Sequence, residues 1–169
     1  MKKSYLLSGM IAFSLVIGVS GLKGMEEQRP EEYKEIDSLL NKNPNNWADI
    51  LNLLDSLIET KNLTADDYRA DKGGTLLMYA VGQNNLKAVK ILLTIYKANP
   101  NIGDFSGMNP LMVACTANYA RMVKLLLKHG ANPTVQDQHG YDSFDYASSY
   151  PEILLLLRIR LGQQSARAA

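Results

Sequence analysis

The sequence predicts an all-α solenoid of helix-turn-helix repeats, and three observations carry that prediction. The first is self-similarity. Gly73-Gly-Thr-Leu-Leu-Met-Tyr-Ala80, Gly107-Met-Asn-Pro-Leu-Met-Val-Ala114 and Gly140-Tyr-Asp-Ser-Phe-Asp-Tyr-Ala147 align at intervals of 34 and 33, with Leu77, Leu111 and Phe144 in one register position. The second is that the register continues, since Val89, Leu92 and Leu93 lie 34 residues before Val123, Leu126 and Leu127. Asn99-Pro100 then precedes Asn132-Pro133 by 33, which places one extra residue of the first unit within 94–98. The third is that each unit offers two short helices whose apolar faces it cannot cover alone, so the units must stack.

The elements follow in chain order. Lys2 and Lys3 precede an uncharged apolar run over residues 6–22, diluted by Ser and Gly. This is the layout of a secretory signal peptide, expected to span 1–24 with its cleavage site after Gly21. The alternative is an uncleaved anchor helix, because about 20 apolar residues cross a bilayer. Export to the periplasm or the medium goes with the first reading, and membrane anchoring by residues 6–22 with the second.

Residues 25–70 are expected to form an acidic helical N-terminal cap. Over residues 25–72 six Lys and Arg stand against twelve Asp and Glu, whereas residues 73–169 carry nine against five. Pro30 starts a short helix over 31–40 with Tyr33, Ile36, Leu39 and Leu40 on one side. Trp47, Ile50, Leu51, Leu54, Leu57 and Ile58 give a broad helical face over 46–60. A third short piece is capped at Thr64. About 40 residues rarely hold a core unaided, so this segment is expected to dock on the first repeat, as a cap or a degenerate repeat.

The repeats are expected at about 71–103, 104–136 and 137–161. Thr75, Asn109 and Asp142 stand at helix N-caps, where a side-chain oxygen accepts an orphan backbone N–H. Pro110 follows its cap at the first helical position, where a missing N–H costs nothing. Leu111, Ala114 and Cys115 then make an i, i+3, i+4 face. Asn84 and Asn118, 34 apart, are placed to end the first helices in a left-handed conformation. Second helices are expected over 86–96 and 120–129, and Gly130 ends the latter. The third unit has Ser143-Phe144 where the second has Pro-Leu, and a shortened link after Ala147. Its second helix carries Ile153, Leu154, Leu155, Leu156 and Leu157 in a row, then Ile159 and Leu161. Core filling accounts for part of that run, and Leu155 and Ile159 are candidates for self-association or partner contact. Residues 162–169 read as a flexible tail.

Taken together, GMNPLMVACTANYARMVKLLLKHGANP resembles an ankyrin repeat, whose signature is a T-P-L-H-x-A run within a 33-residue unit. Asn109 stands for the family's threonine and Met112 for its histidine, and Leu76 for the usual proline in the first repeat. The resemblance implies stacked helix pairs with β-turn tips and a function in binding a macromolecular partner through those tips and the concave side of the first helices. Mapped by position, it implies a surface of Phe105, Ser106, Met108 and Thr116 in repeat two, and Gln138, His139, Tyr141 and Tyr150 in repeat three.

Cys115 is the chain's one cysteine, so it excludes an internal disulfide. As a nucleophile of a small hydrolase it needs a base and exposure, and its predicted face offers neither. His129 and His139 form no zinc-spaced cluster, and Asp66-Asp67 and Asp142 with Asp145 read as cap and helix-start residues. No glycine-rich phosphate loop appears, and no catalytic residue, cofactor or metal is expected. Lys87 and Arg121, and Lys90 and Lys124, recur at 34 and line up as a basic strip, read first as a solvated helix side. Without residues 1–24 the charge is slightly negative and no aromatic platform accompanies the strip, so nucleic acid is not an expected partner. The expected partner is a protein, with a membrane involved only if the N-terminal run stays attached.

Overall fold

The computed structural model describes residues 31–42, 46–61, 63–70 and 72–168. The expected signal or anchor over 1–24 lies outside them. Among the described residues there is helix and no strand. The helices are α1 (Glu31–Lys42), α2 (Trp47–Lys61), α3 (Leu76–Gly82), α4 (Leu86–Thr94), α5 (Pro110–Thr116), α6 (Ala120–Lys128), α7 (Ser143–Tyr146) and α8 (Pro151–Ala168). They pack in pairs, α3 with α4, α5 with α6 and α7 with α8, as the repeat predicts. No described helix is long and apolar enough to cross a membrane.

Local chemistry sets each start. Thr75 Oγ1 accepts from Met78 N at 3.2 Å, and Asn109 Oδ1 from Met112 N at 3.0 Å. Asp142 Oδ1 accepts from Phe144 N at 2.8 Å, while Asp145 reaches back to Asp142 N, closing a capping box. In repeat two the thioether of Met112 takes the place of that carboxylate, accepting from Asn109 N at 3.5 Å. In repeats one and two the end of the first helix is set by an asparagine. Asn84 and Asn118 sit at φ 53° and 55°, and Tyr119 N donates to Ala114 O at 2.9 Å while Asn118 N donates to Cys115 O at 3.1 Å. That pair of bonds is a Schellman stop, which asparagine tolerates better than most non-glycine residues.

One apolar core runs through the stack, from Ile36 and Leu40 in α1 to Ile153 and Leu157 in α8. Leu77 and Leu111 are buried, Cys115 is 0% exposed beside Ala114, and Phe144 is half-buried at the last unit. The turns are hydrogen-bonded to one another as well. Asp66 accepts from Asn99 N at 3.0 Å, Lys72 O from Phe105 N at 3.0 Å, and Ser106 O from Gln138 N at 2.9 Å. These bonds recur at spacings of 33, 33 and 32, so the inter-repeat pattern reaches back into residues 66–72.

Three expectations are corrected in detail. The first is that α4 ends at Thr94, not at residue 96. Tyr96 leaves the helix to donate its hydroxyl to Asp55 Oδ1 of α2 at 2.8 Å, and Lys97 turns to φ 55°. Ala98 N accordingly bonds back six residues to Leu92 O, where Ala131 N bonds back five to Leu126 O, which locates the extra residue of repeat one. The second is that the piece after Thr64 is a turn and not a helix. Asp67 Oδ2 accepts from Thr64 N and Oγ1, and buried Tyr68 bonds Asp37. The third is that α8 continues through Ala168, so the segment expected as a tail from 162 is helical.

Candidate protein-binding surface

The turn tips are built on two aspartates. Asp104 Oδ1 accepts from Ser106 N, Ser106 Oγ and Met108 N at 2.9, 2.6 and 3.0 Å. Asp137 Oδ1 accepts from His139 N and Tyr141 N at 2.8 and 3.0 Å, and its Oδ2 accepts from Tyr146 Oη at 2.6 Å. Each carboxylate thereby replaces the missing backbone partners of a tight turn. The Tyr146 hydroxyl, followed by the two backbone N–H groups, holds the Asp137 carboxyl below its usual range. The same bond pushes the Tyr146 phenol up to about 12.

These aspartates are absent from the expected surface residues, yet they position most of them. Their signal is a recurrence at 33, three residues before Gly107 and Gly140; repeat one has Ala70 at that place and keeps only the backbone bonds. Gly107, at φ 83°, must be glycine for a second reason: a Cβ there would lie 2.9 Å from Asp137 Cα of the next turn.

Phe105, Ser106 and Gln138 are brought together, with Gln138 Nε2 donating to Phe105 O at 2.6 Å. Gln138, His139 and Tyr141 are exposed on the adjoining tip, and the Tyr141 ring meets Tyr146 edge-on at 6.2 Å between centroids. Phe105 is 53% exposed, but its ring covers Gly73, where an added Cβ would fall 2.5 Å from Phe105 Cδ1. One side of the ring is therefore packing and the other is surface. The Ser106 hydroxyl is held by Asp104, and Met108 is half-buried. Thr116 is exposed at the far end of α5, its hydroxyl donating to Met112 O at 3.0 Å. Tyr150 packs half-buried against the core.

Between the first helices lies a groove of about 360 Å³ lined by Ala70, Gly74, Tyr79, Gly82, Gln83 and Val113. Gln83 is oriented there by Trp47, whose Nε1 donates to Gln83 Oε1 at 2.9 Å. The surface next to the tips is thus a largely apolar trough with a fixed amide at one side, suited to contact with a side chain of another molecule.

Cys115 has no place on this surface. Burial pushes its thiol up to about 12, with Asp142 adding to the shift, so the thiolate a nucleophile needs does not form near neutral pH. Among the described residues no group of three His, Cys, Asp or Glu side chains is disposed to hold a metal ion.

Helix pairs stacked around one core and joined by hydrogen-bonded turn tips define a repeat solenoid. A family model for ankyrin repeats, in three copies, matches residues 40–137, and the chain belongs to the ankyrin-repeat family. The 26S proteasome non-ATPase regulatory subunit 10 of Dictyostelium discoideum is 36% identical over 76 residues, 45% of this chain and 32% of that protein. A putative ankyrin repeat-containing protein of Treponema pallidum (strain Nichols) is 29% identical over 85 residues, 50% of this chain and 28% of that one. The B-cell lymphoma 3 protein homolog of Mus musculus is 32% identical over 83 residues, 47% of this chain and 18% of that one. The matched part spans less than a third of each relative. Ankyrin-repeat relatives of this kind point to a protein–protein interaction module, a family role that is generally non-enzymatic.

Proposed function

We propose that this chain is an exported ankyrin-repeat module that captures a protein partner across the tips of repeats two and three and the adjoining groove. The observation that carries the surface is the bonded row of turns, which fixes the backbone of Phe105, Ser106 and Gln138 while leaving Gln138, His139 and Tyr141 open to water. A preformed backbone lowers the entropy lost on binding, and exposed rings supply contact area with few rotatable bonds. Export is supported by the basic start and short apolar run of residues 1–22.

Photocrosslinking tests the surface. A benzophenone amino acid at Tyr141 is expected to form a discrete crosslinked product in the native compartment, and the same group at Lys90 on α4 is expected to form none. Equal products from both positions refute the assignment of the face. N-terminal sequencing of the mature protein tests export with cleavage, which predicts a start near residue 22 to 25, against retention of Met1 in a tethered form.

A further inference from the structure

The outer helices of the last two repeats form a second surface, away from the tips. Met122 and Leu126 of α6 and Ile153 and Leu157 of α8 are all 0% exposed, which aligns the two helices at a shift of 31. In that register Leu155 and Ile159 occupy the places of Lys124 and Lys128, which in α4 are Lys90 and Thr94. Two outer helices thus turn polar residues to water where the third turns hydrocarbon, 59% and 49% exposed.

Beside this pair a groove of about 660 Å³ runs between α6 and α8. Leu127, Leu156 and Ile159 give it an apolar floor, and Lys124, Lys128 and Arg160 stand along it. No Asp or Glu lines it. The Nε of Arg160 is buried and has no hydrogen-bond partner. Lys124, Lys128 and Arg160 together make the groove basic, and a carboxylate entering it makes charge-assisted bonds with them.

We propose that this groove binds an acidic amphipathic segment of a partner protein, with carboxylates on Lys124, Lys128 and Arg160 and apolar side chains over Leu156 and Ile159. The chemistry of the lining selects this occupant. A second copy packed α8 to α8 would set like charges against each other. A polyanion without hydrocarbon would leave Leu155 and Ile159 uncovered.

The test uses the full chain and a fluorescein-labelled helical peptide of Glu with Leu at i, i+3 and i+4 positions, read by fluorescence anisotropy. Saturable binding is expected, weakened by added salt, and absent for the same peptide with Lys for Glu. Leu155→Ser with Ile159→Ser, which removes the exposed hydrocarbon without adding charge, and Arg160→Gln are each expected to weaken it by about tenfold. Phe105→Ala with Tyr141→Ala should leave it unchanged, which separates this groove from the tip surface. Equal binding of the Lys peptide, or unchanged affinity in both groove variants, overturns the proposal. So does displacement of the Glu peptide by anionic lipid vesicles, or a salt-insensitive dimer in sedimentation that the double Ser variant abolishes.

Discussion

In repeat two the first helix α5 spans seven residues and buries Leu111, Met112, Ala114 and Cys115 between neighbours on both sides. In repeat three α7 spans four residues and buries Ser143 only, with Phe144 half-covered. The outer helices reverse the contrast, since α6 has nine residues and α8 has eighteen. Both repeats start from a capping box and an aspartate-bound turn, so the start of the helix does not account for the difference. Position does: a repeat with a neighbour on each side buries most of its first helix, and among the described residues repeat three has a neighbour on one side.

The comparison breaks first at the core. Leu111→Ala is expected to cost about 2–5 kcal/mol by urea denaturation, because a fully buried leucine leaves a cavity. Phe144→Ala, at the matching position, is expected to cost less, about 1–2 kcal/mol, since part of its ring is already in water. Equal costs would mean that repeat three is as tightly held as repeat two.

The caps come next. Asn109→Ala is expected to lose about 1 kcal/mol through the missing acceptor for Met112 N. Asn109→Thr keeps an acceptor and deletes the amide Nδ2, which is buried without a partner. Thermal melts should then show Asn109→Thr at least as stable as wild type, as Thr75 in repeat one already caps with the same residue type.

The smallest effect is read by pH at the turn of repeat three. Asp137 is held below its usual pKa, so its contribution is complete above the ordinary carboxylate value of about 3.9 and fades as pH falls through the lower folded value. Tyr146→Phe removes the first cause of that shift. Its melting temperature should lie below wild type at neutral pH, with the gap closing in acid. The Asp104 carboxylate accepts only from groups of its own turn, Ser106 N, Ser106 Oγ and Met108 N, among the described contacts.

The proposed binding surface was less legible than the fold. Phe105 and Tyr141 read alike along the chain, as aromatic residues near a turn. Only the folded contacts distinguish a ring spread over Gly73 from one leaning edge-on against Tyr146. Asp104 and Asp137 recur at 33 yet read as ordinary polar loop residues, because a carboxylate's role in a turn depends on which N–H groups the backbone brings to it. The groove beside α8 needed the register of that helix, and the shortened link after Ala147 makes it 31 in place of 33.

By itself the sequence determined the period, the helix pairs of repeats one and two, the caps at Thr75, Asn109 and Asp142, and the left-handed stops at Asn84 and Asn118. Each of these is settled within a few residues by hydrogen bonding or allowed backbone geometry. The tertiary structure alone decided where α4 stops, since the Tyr96 hydroxyl finds its partner on α2, 41 residues away. It alone also decided which apolar residues of α8 are core and which face water. A run that is apolar all round has no periodicity to read, and only the helix packed against it selects the buried side.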